Sequence, residues 1–184
     1  MKAFKILCIS LSLLFVLGCA FSAVHINSLY PEPTAHIYTL REAFTFDGLE
    51  ITVLDCQIMT IDAFCEKYIL NNPTDEKNNV YCCYVQIKAT NKSDTPKTPE
   101  LYMATLGNIN YSNGMDLELF MGLNNDSAET LGTEISSGES YEIWLPYTFW
   151  GTSIGVSNGN PFDKENFYLT FSLYPEKHSV LING

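Results

Sequence analysis

From Tyr38 onward, apolar and polar residues alternate with a period of two, the spacing that puts one set of side chains on each face of a β-strand. Phe44 and Phe46 precede Asp47-Gly48, and Leu49, Ile51 and Val53 then alternate with Glu50 and Thr52, which predicts a hairpin with a two-residue turn. Tyr81, Cys83, Val85, Ile87 and Ala89 share one face of a long strand, and Tyr84, Gln86, Lys88 and Thr90 share the other; its length suits a central position. Leu101, Met103 and Thr105 predict another strand. Asn113-Gly114 lies between Ile109/Tyr111 and the run Met115, Leu117, Leu119, Met121, and predicts a second hairpin. Leu131 to Ile135 reads as a short strand. After Ser137-Gly138, Tyr141, Ile143, Leu145 and Tyr147 share a face. Pro146 has no N–H to donate, which puts that strand at a sheet edge or a bulge and leaves it a place where a partner strand can add. Phe167, Leu169, Phe171 and Leu173 alternate up to Pro175, the expected end of the last strand.

One segment breaks this rhythm. Ile61, Phe64, Cys65, Tyr68 and Ile69 recur at helical spacing, with Asp62 as the expected amino-terminal cap and Asn71-Asn72-Pro73 as the stop. Seven or eight short strands and one short helix predict a mostly β, antiparallel sandwich.

The amino terminus follows a different logic. Lys2 and Lys5 precede twelve residues, Ile6 to Leu17, that are almost entirely apolar, and Gly18-Cys19-Ala20 follows; this is the layout of a signal peptide. Twelve residues make about 18 Å of helix, short of the ~30 Å hydrocarbon core. Val16-Leu17-Gly18-Cys19 resembles the bacterial lipobox, which implies cleavage after residue 18 and a diacylglyceryl (palmitate-type) group on Cys19. The alternative is conventional cleavage at the small residues around Ala20 and a soluble secreted product. Two acyl chains suffice for stable anchoring. The expected organisation is thus signal peptide 1–18, lipidated cysteine and flexible tether 19–36 with Pro31-Glu32-Pro33, and one sandwich domain 37–184 on the outer face of the cytoplasmic membrane.

Several stretches together resemble an uncharacterised family of Gram-positive surface lipoproteins built on a single immunoglobulin-like β-sandwich. They are Tyr38–Glu42 with Leu49–Val53, Val85–Ser93, Tyr111–Phe120, Ser137–Ser140 and Phe167–Lys177. The resemblance implies a fold and an envelope location, and carries no catalytic residue across.

Composition and charge narrow the partners. With 46% apolar and 17% charged residues the chain is an ordinary globular protein, neither disordered nor collagen-like. Removing residues 1–18 takes Lys2 and Lys5 away and moves the formal charge from −11 to −13, which argues against nucleic acid. Cys56, Cys65, Cys82 and Cys83 remain after Cys8 and Cys19 are set aside; one disulfide from Cys56 or Cys65 to the 82–83 pair and a set of buried thiols both fit. Because neighbours on a strand face opposite ways, only one of Cys82 and Cys83 is expected to reach the core.

The candidate chemistry is thin. Gly151-Thr152-Ser153-Ile154-Gly155 matches G-x-S-x-G, with Asp163 and His178 following in α/β-hydrolase order, but Asn158-Gly159-Asn160-Pro161 cannot begin the helix that such an elbow requires. His25, His36 and His178 lack the spacing of a helical metal site, so no metal and no cofactor are expected. The acidic loops Thr74-Asp75-Glu76 and Asn124-Asn125-Asp126 lack an EF-hand pattern. Asn91-Lys92-Ser93 and Asn125-Asp126-Ser127 are formal glycosylation acceptors that read as turns. Trp144, Tyr147 and Trp150 are the candidate binding surface, and packing of these rings in the core or between the sheets is the other reading. The expectation is a non-enzymatic, lipid-anchored binding or interaction module that meets another envelope protein or a surface ligand. A small serine hydrolase using Ser153 and an accessory subunit of a membrane transporter are the alternatives.

Overall fold

The computed structural model describes residues 2–72, 79–124, 131–154 and 165–183, and their side chains except at 2–10 and 153–154. It divides into two units, Met1–Thr34 and Ala35–Gly184. The first is helical. In α1 (Lys2–Leu29) the segment Leu11–Leu29 is apolar and long enough to cross a membrane, and a signal sequence near an amino terminus meets the same criterion. The helix continues past Cys19 over residues assigned above to a tether, because Ala20, Phe21, Val24, Ile26 and Leu29 keep the segment apolar.

From Thr34 the chain is β-rich, with nine strands among the described residues: β1 (Thr34–Thr39), β2 (Ala43–Phe46), β3 (Leu49–Thr60), β4 (Val80–Asn91), β5 (Thr105–Gly107), β6 (Ser112–Asn113), β7 (Ser140–Trp150), β8 (Tyr168–Ser172) and β9 (Glu176–Leu181). They form a five-stranded sheet, β1-β9-β8-β5-β6, and a four-stranded sheet, β2-β3-β4-β7. The first hairpin is as expected: Phe46 pairs with Leu49, and Asp47 and Gly48 turn with φ of 49° and 75°, the double positive φ of a two-residue hairpin loop. β4 is central, flanked by β3 and β7 in antiparallel register.

Inward-facing residues of the two sheets interlock as one core. Ile51, Val53, Val85, Ile87 and Leu145 come from one sheet, and Leu106, Phe167, Leu169 and Val180 from around the other, all with at most 2% exposure. Each such side chain contributes about 1.5–3 kcal/mol by leaving water.

A second cluster, absent from the expected plan, lies on the outer face of the four-stranded sheet. There α2 (Ile61–Tyr68) packs Ile61, Phe64 and Cys65 against Val80, Cys82 and Tyr84. Both neighbouring cysteines are therefore buried, Cys83 in the main core and Cys82 beneath α2, since this sheet is covered on both faces. The cap of α2 is Thr60, whose hydroxyl accepts from the Ala63 N–H at 3.4 Å; Asp62 lies in the first turn.

Three α-helices are present among the described residues instead of one. α3 (Leu117–Leu123) replaces the strand expected after Asn113-Gly114. The Asp116 carboxylate accepts from the Leu119 N–H at 3.1 Å and starts the helix, which buries Leu119 and Phe120. The β5–β6 turn comes earlier, at Asn108–Tyr111, where the Asn108 Oδ1 accepts from the N–H groups of Asn110 and Tyr111, both at 2.9 Å. A Cβ at Gly107 would collide with the Tyr111 carbonyl in that turn. Leu101–Met103 forms a 3-10 turn, and in place of the strand expected over 131–135 Ile135 makes an isolated bridge to Lys97.

The edge strand β7 is closed by its own chain. The Asp116 N–H donates to the Pro146 carbonyl at 2.8 Å, the Asn113 amide to the Thr148 carbonyl at 2.6 Å, and the Asn124 amide to the Trp144 carbonyl at 3.0 Å. The edge position of Pro146 agrees with expectation, but three of the carbonyls that a partner strand would use are already taken.

Candidate functional site

Two features on the five-stranded sheet have the geometry of a site. The first is a cleft of about 600 Å³ on its outer face, within the 300–1,000 Å³ usual for small-ligand pockets. Alternation along the strands sends Ile37 of β1, Tyr168 of β8 and Lys177 of β9 outward, and the Asn108–Ile109 turn and Glu165 wall the cleft. Ile37 and Ile109 are 62% and 93% exposed, an unusual placement for isoleucine. The Asn108 amide donates to the Glu165 carboxylate at 2.5 Å, which fixes the polar wall.

The second feature is at the rim between the sheets. The chain does not end its β structure at Pro175: the turn there leads into β9, which sends Glu176 and His178 to one face. His178, 8% exposed, lies against Phe44, Phe46 and Tyr38, with ring centroids 5.7–6.0 Å away. Its Nδ1 is 3.1 Å from the Tyr38 hydroxyl, and its Nε2 is 3.4 Å from a Glu176 carboxylate oxygen. His36, on the neighbouring β1, stacks on His178 at 5.0 Å, with its Nε2 3.9 Å from the same oxygen. Burial, and then the negative charges of Glu42 and Glu176, raise the Tyr38 pKa above the usual phenol value, so this hydroxyl keeps its proton. His36 and His178, which lack the spacing of a helical metal site in the sequence, are brought side by side by the pairing of β1 with β9. The sequence signal was the alternation Glu176, His178, Val180, hidden when Pro175 is read as a terminator.

The predicted site residues are scattered. Tyr147 is fully buried and its hydroxyl donates to the Ala104 carbonyl at 3.1 Å, so it belongs to the core and not to a surface. Trp144 faces the opposite side of β7, packed against the Tyr84 ring at 5.2 Å, and Trp150 is 44% exposed at the strand end. The three rings form no common surface. Cys19 is exposed on α1. Cys56, Cys65, Cys82 and Cys83 are free thiols, with Cys56 and Cys83 in contact. Ser153 lies in a 3-10 turn, Gly151–Ile154, that follows an edge strand; Asp163 lies outside the described residues, as do residues 74–76, 125–127 and 158–161. Asn91 is completely buried with its amide fully engaged, which makes it a turn anchor and not a glycosylation acceptor.

Fold and cleft together define a small two-sheet β-sandwich with an open sheet face. The chain belongs to the family described as a domain of unknown function, DUF5028, whose model matches residues 37–178. It is similar to a conserved hypothetical protein from Bacillus anthracis, with 16% identity over 72% of this chain and 87% of that one and a TM-score of 0.48. An uncharacterised β-sandwich protein from Clostridium difficile 630 shares 12% identity over 82% and 96%, TM-score 0.47. A functionally unknown protein from Listeria monocytogenes EGD-e shares 14% over 77% and 79%, TM-score 0.46. No curated protein matches the sequence.

Proposed function

We propose that this chain is a non-enzymatic binding module of a Gram-positive envelope, an immunoglobulin-like sandwich held outside the cytoplasmic membrane by a diacylglyceryl group on Cys19. The observation that carries the reading is the cleft on the five-stranded sheet, where exposed Ile37 and Ile109 adjoin Lys177. Exposed apolar side chains next to a cation suit a small amphipathic surface ligand bearing an anionic group. The apolar α1 and the Gly18-Cys19 pair support export and anchoring. His178, the histidine of the serine-hydrolase alternative, has its two ring nitrogens directed at Tyr38 and Glu176.

Two measurements test the proposal. Intact mass and membrane partition in a Gram-positive host should show a diacylglyceryl group on wild type and release of Cys19→Ala from the membrane; an unlipidated, secreted wild type overturns the anchor. Anilinonaphthalene sulfonate, an apolar ring system with an anionic group, should bind the chain and lose about tenfold in affinity in Ile109→Asp and Lys177→Glu. Unchanged binding in both variants overturns the cleft.

A further inference from the structure

We propose that His36, Glu176 and His178 form a binding site for a divalent transition-metal ion of the zinc class, a site independent of the cleft. The ligand atoms of the three residues all lie within 4.8 Å of one another. Two of the separations, 3.4 Å from His178 Nε2 and 3.9 Å from His36 Nε2 to the Glu176 oxygen, are too long for good hydrogen bonds. They are close to the spacing a shared cation imposes: nitrogen and oxygen ligands about 2.0–2.2 Å from a tetrahedral ion lie roughly 3.3–3.5 Å apart.

A second observation points the same way. His36 Nε2 is shielded from water and has no hydrogen-bond partner among the described residues, a costly state for a buried polar atom that a metal ion would resolve. The His36 side chain is 38% exposed, so the ring can turn to bring this nitrogen onto an ion while His178 stays fixed in its aromatic setting.

The outer shell is also present. When His178 carries its proton on Nδ1 and donates it to the Tyr38 oxygen, the Nε2 lone pair is left for the ion, the arrangement that orients histidine ligands in metal sites generally. Two neutral imidazoles and one carboxylate suit zinc and its neighbours better than calcium or magnesium, which prefer oxygen shells. Glu176 and His178 also line a cavity of about 280 Å³ with Asp47 and Ser172, so a fourth position faces open space for water or an exogenous ligand.

The test is calorimetric titration of the full chain in detergent with zinc chloride, with thermal unfolding measured alongside. Wild type should take up about one zinc per chain at this site and unfold at a higher temperature with zinc. Glu176→Gln and His36→Gln should each weaken that binding at least tenfold while leaving the metal-free unfolding temperature unchanged, since both side chains are substantially exposed. Tyr38→Phe should weaken it about tenfold through the loss of its contact to Nδ1. Zinc uptake that is absent in wild type, or equal in wild type and both ligand variants, overturns the site.

Discussion

The sulfurs of Cys56 and Cys83 lie 3.3 Å apart across β3 and β4, in van der Waals contact but unbonded. The two residues are diagonal neighbours: Cys56 pairs with Val85 and Cys83 with Ile58, so a small adjustment brings the sulfurs to bonding distance. Cys65 instead points its thiol at the Asn71 carbonyl, and Cys82 is beneath α2.

Oxidation with oxidised glutathione is therefore expected to give one cross-link, Cys56 to Cys83. Burial keeps Cys83 a protonated thiol, so the reaction begins at half-buried Cys56 and its second step is slow. Closing this 27-residue separation should stabilise the fold by about 3–4 kcal/mol on chain-entropy grounds. Peptide mapping without reduction should find the 56–83 pair, with Cys65 and Cys82 alkylated only after unfolding. A cross-link through Cys65 or Cys82 would contradict the register.

Asn91 fastens the end of β4 to the approach to β7. Its amide donates to the carbonyls of Thr95 and Ile135, both at 2.8 Å, and its oxygen accepts from the Ser93 N–H and hydroxyl at 2.9 and 2.7 Å. Asn91→Ala removes all four of these bonds, although the Ile135 carbonyl keeps the Lys97 N–H and the Thr95 carbonyl keeps the Ser93 hydroxyl, and should cost about 2–4 kcal/mol. Urea denaturation should show a lower midpoint with an unchanged slope. A loss below about 0.5 kcal/mol would mean that the loops hold without it.

How much of this was legible depended on how local each cause was. The Asp47-Gly48 hairpin was readable because turn chemistry sits within the two residues themselves. The α3 segment was misread because Met115, Leu117, Leu119 and Met121 alternate as a strand would, while what selects the helix is partly distant: Asp116 both caps it and accepts from the Thr148 hydroxyl, 32 residues away, at 3.0 Å. Tyr147 looked available because aromatic rings on an edge strand read as surface, yet its face of β7 is the core face. The histidine cluster was invisible for the same reason. Tyr38 and His178 are 140 residues apart, and only the pairing of β1 with β9 brings them together.

Tyr84 gives the fold an alkaline limit. Its ring is fully buried among Phe64, Tyr68 and Trp144, while its hydroxyl donates to the Gln57 side chain at 2.5 Å and accepts from Lys67 at 2.7 Å. Burial raises its pKa, Lys67 partly offsets this, and the result is pushed up to about 12 from the ordinary 10. The folded state therefore holds a proton that the unfolded chain releases above pH 10. Its stabilising contribution is complete below pH 10 and is lost as pH rises through 12, with a slope of up to about 1.4 kcal/mol per pH unit. Tyr84→Phe cannot titrate, so its stability should fall less steeply between pH 10 and 12, although the lost hydrogen bonds should cost it about 1–2 kcal/mol at pH 7. Urea denaturation of both proteins at pH 7, 10, 11 and 12 measures the difference. Equal slopes above pH 10 would show that Tyr84 ionises as readily folded as unfolded, and that the α2 cluster opens to water before the sandwich does.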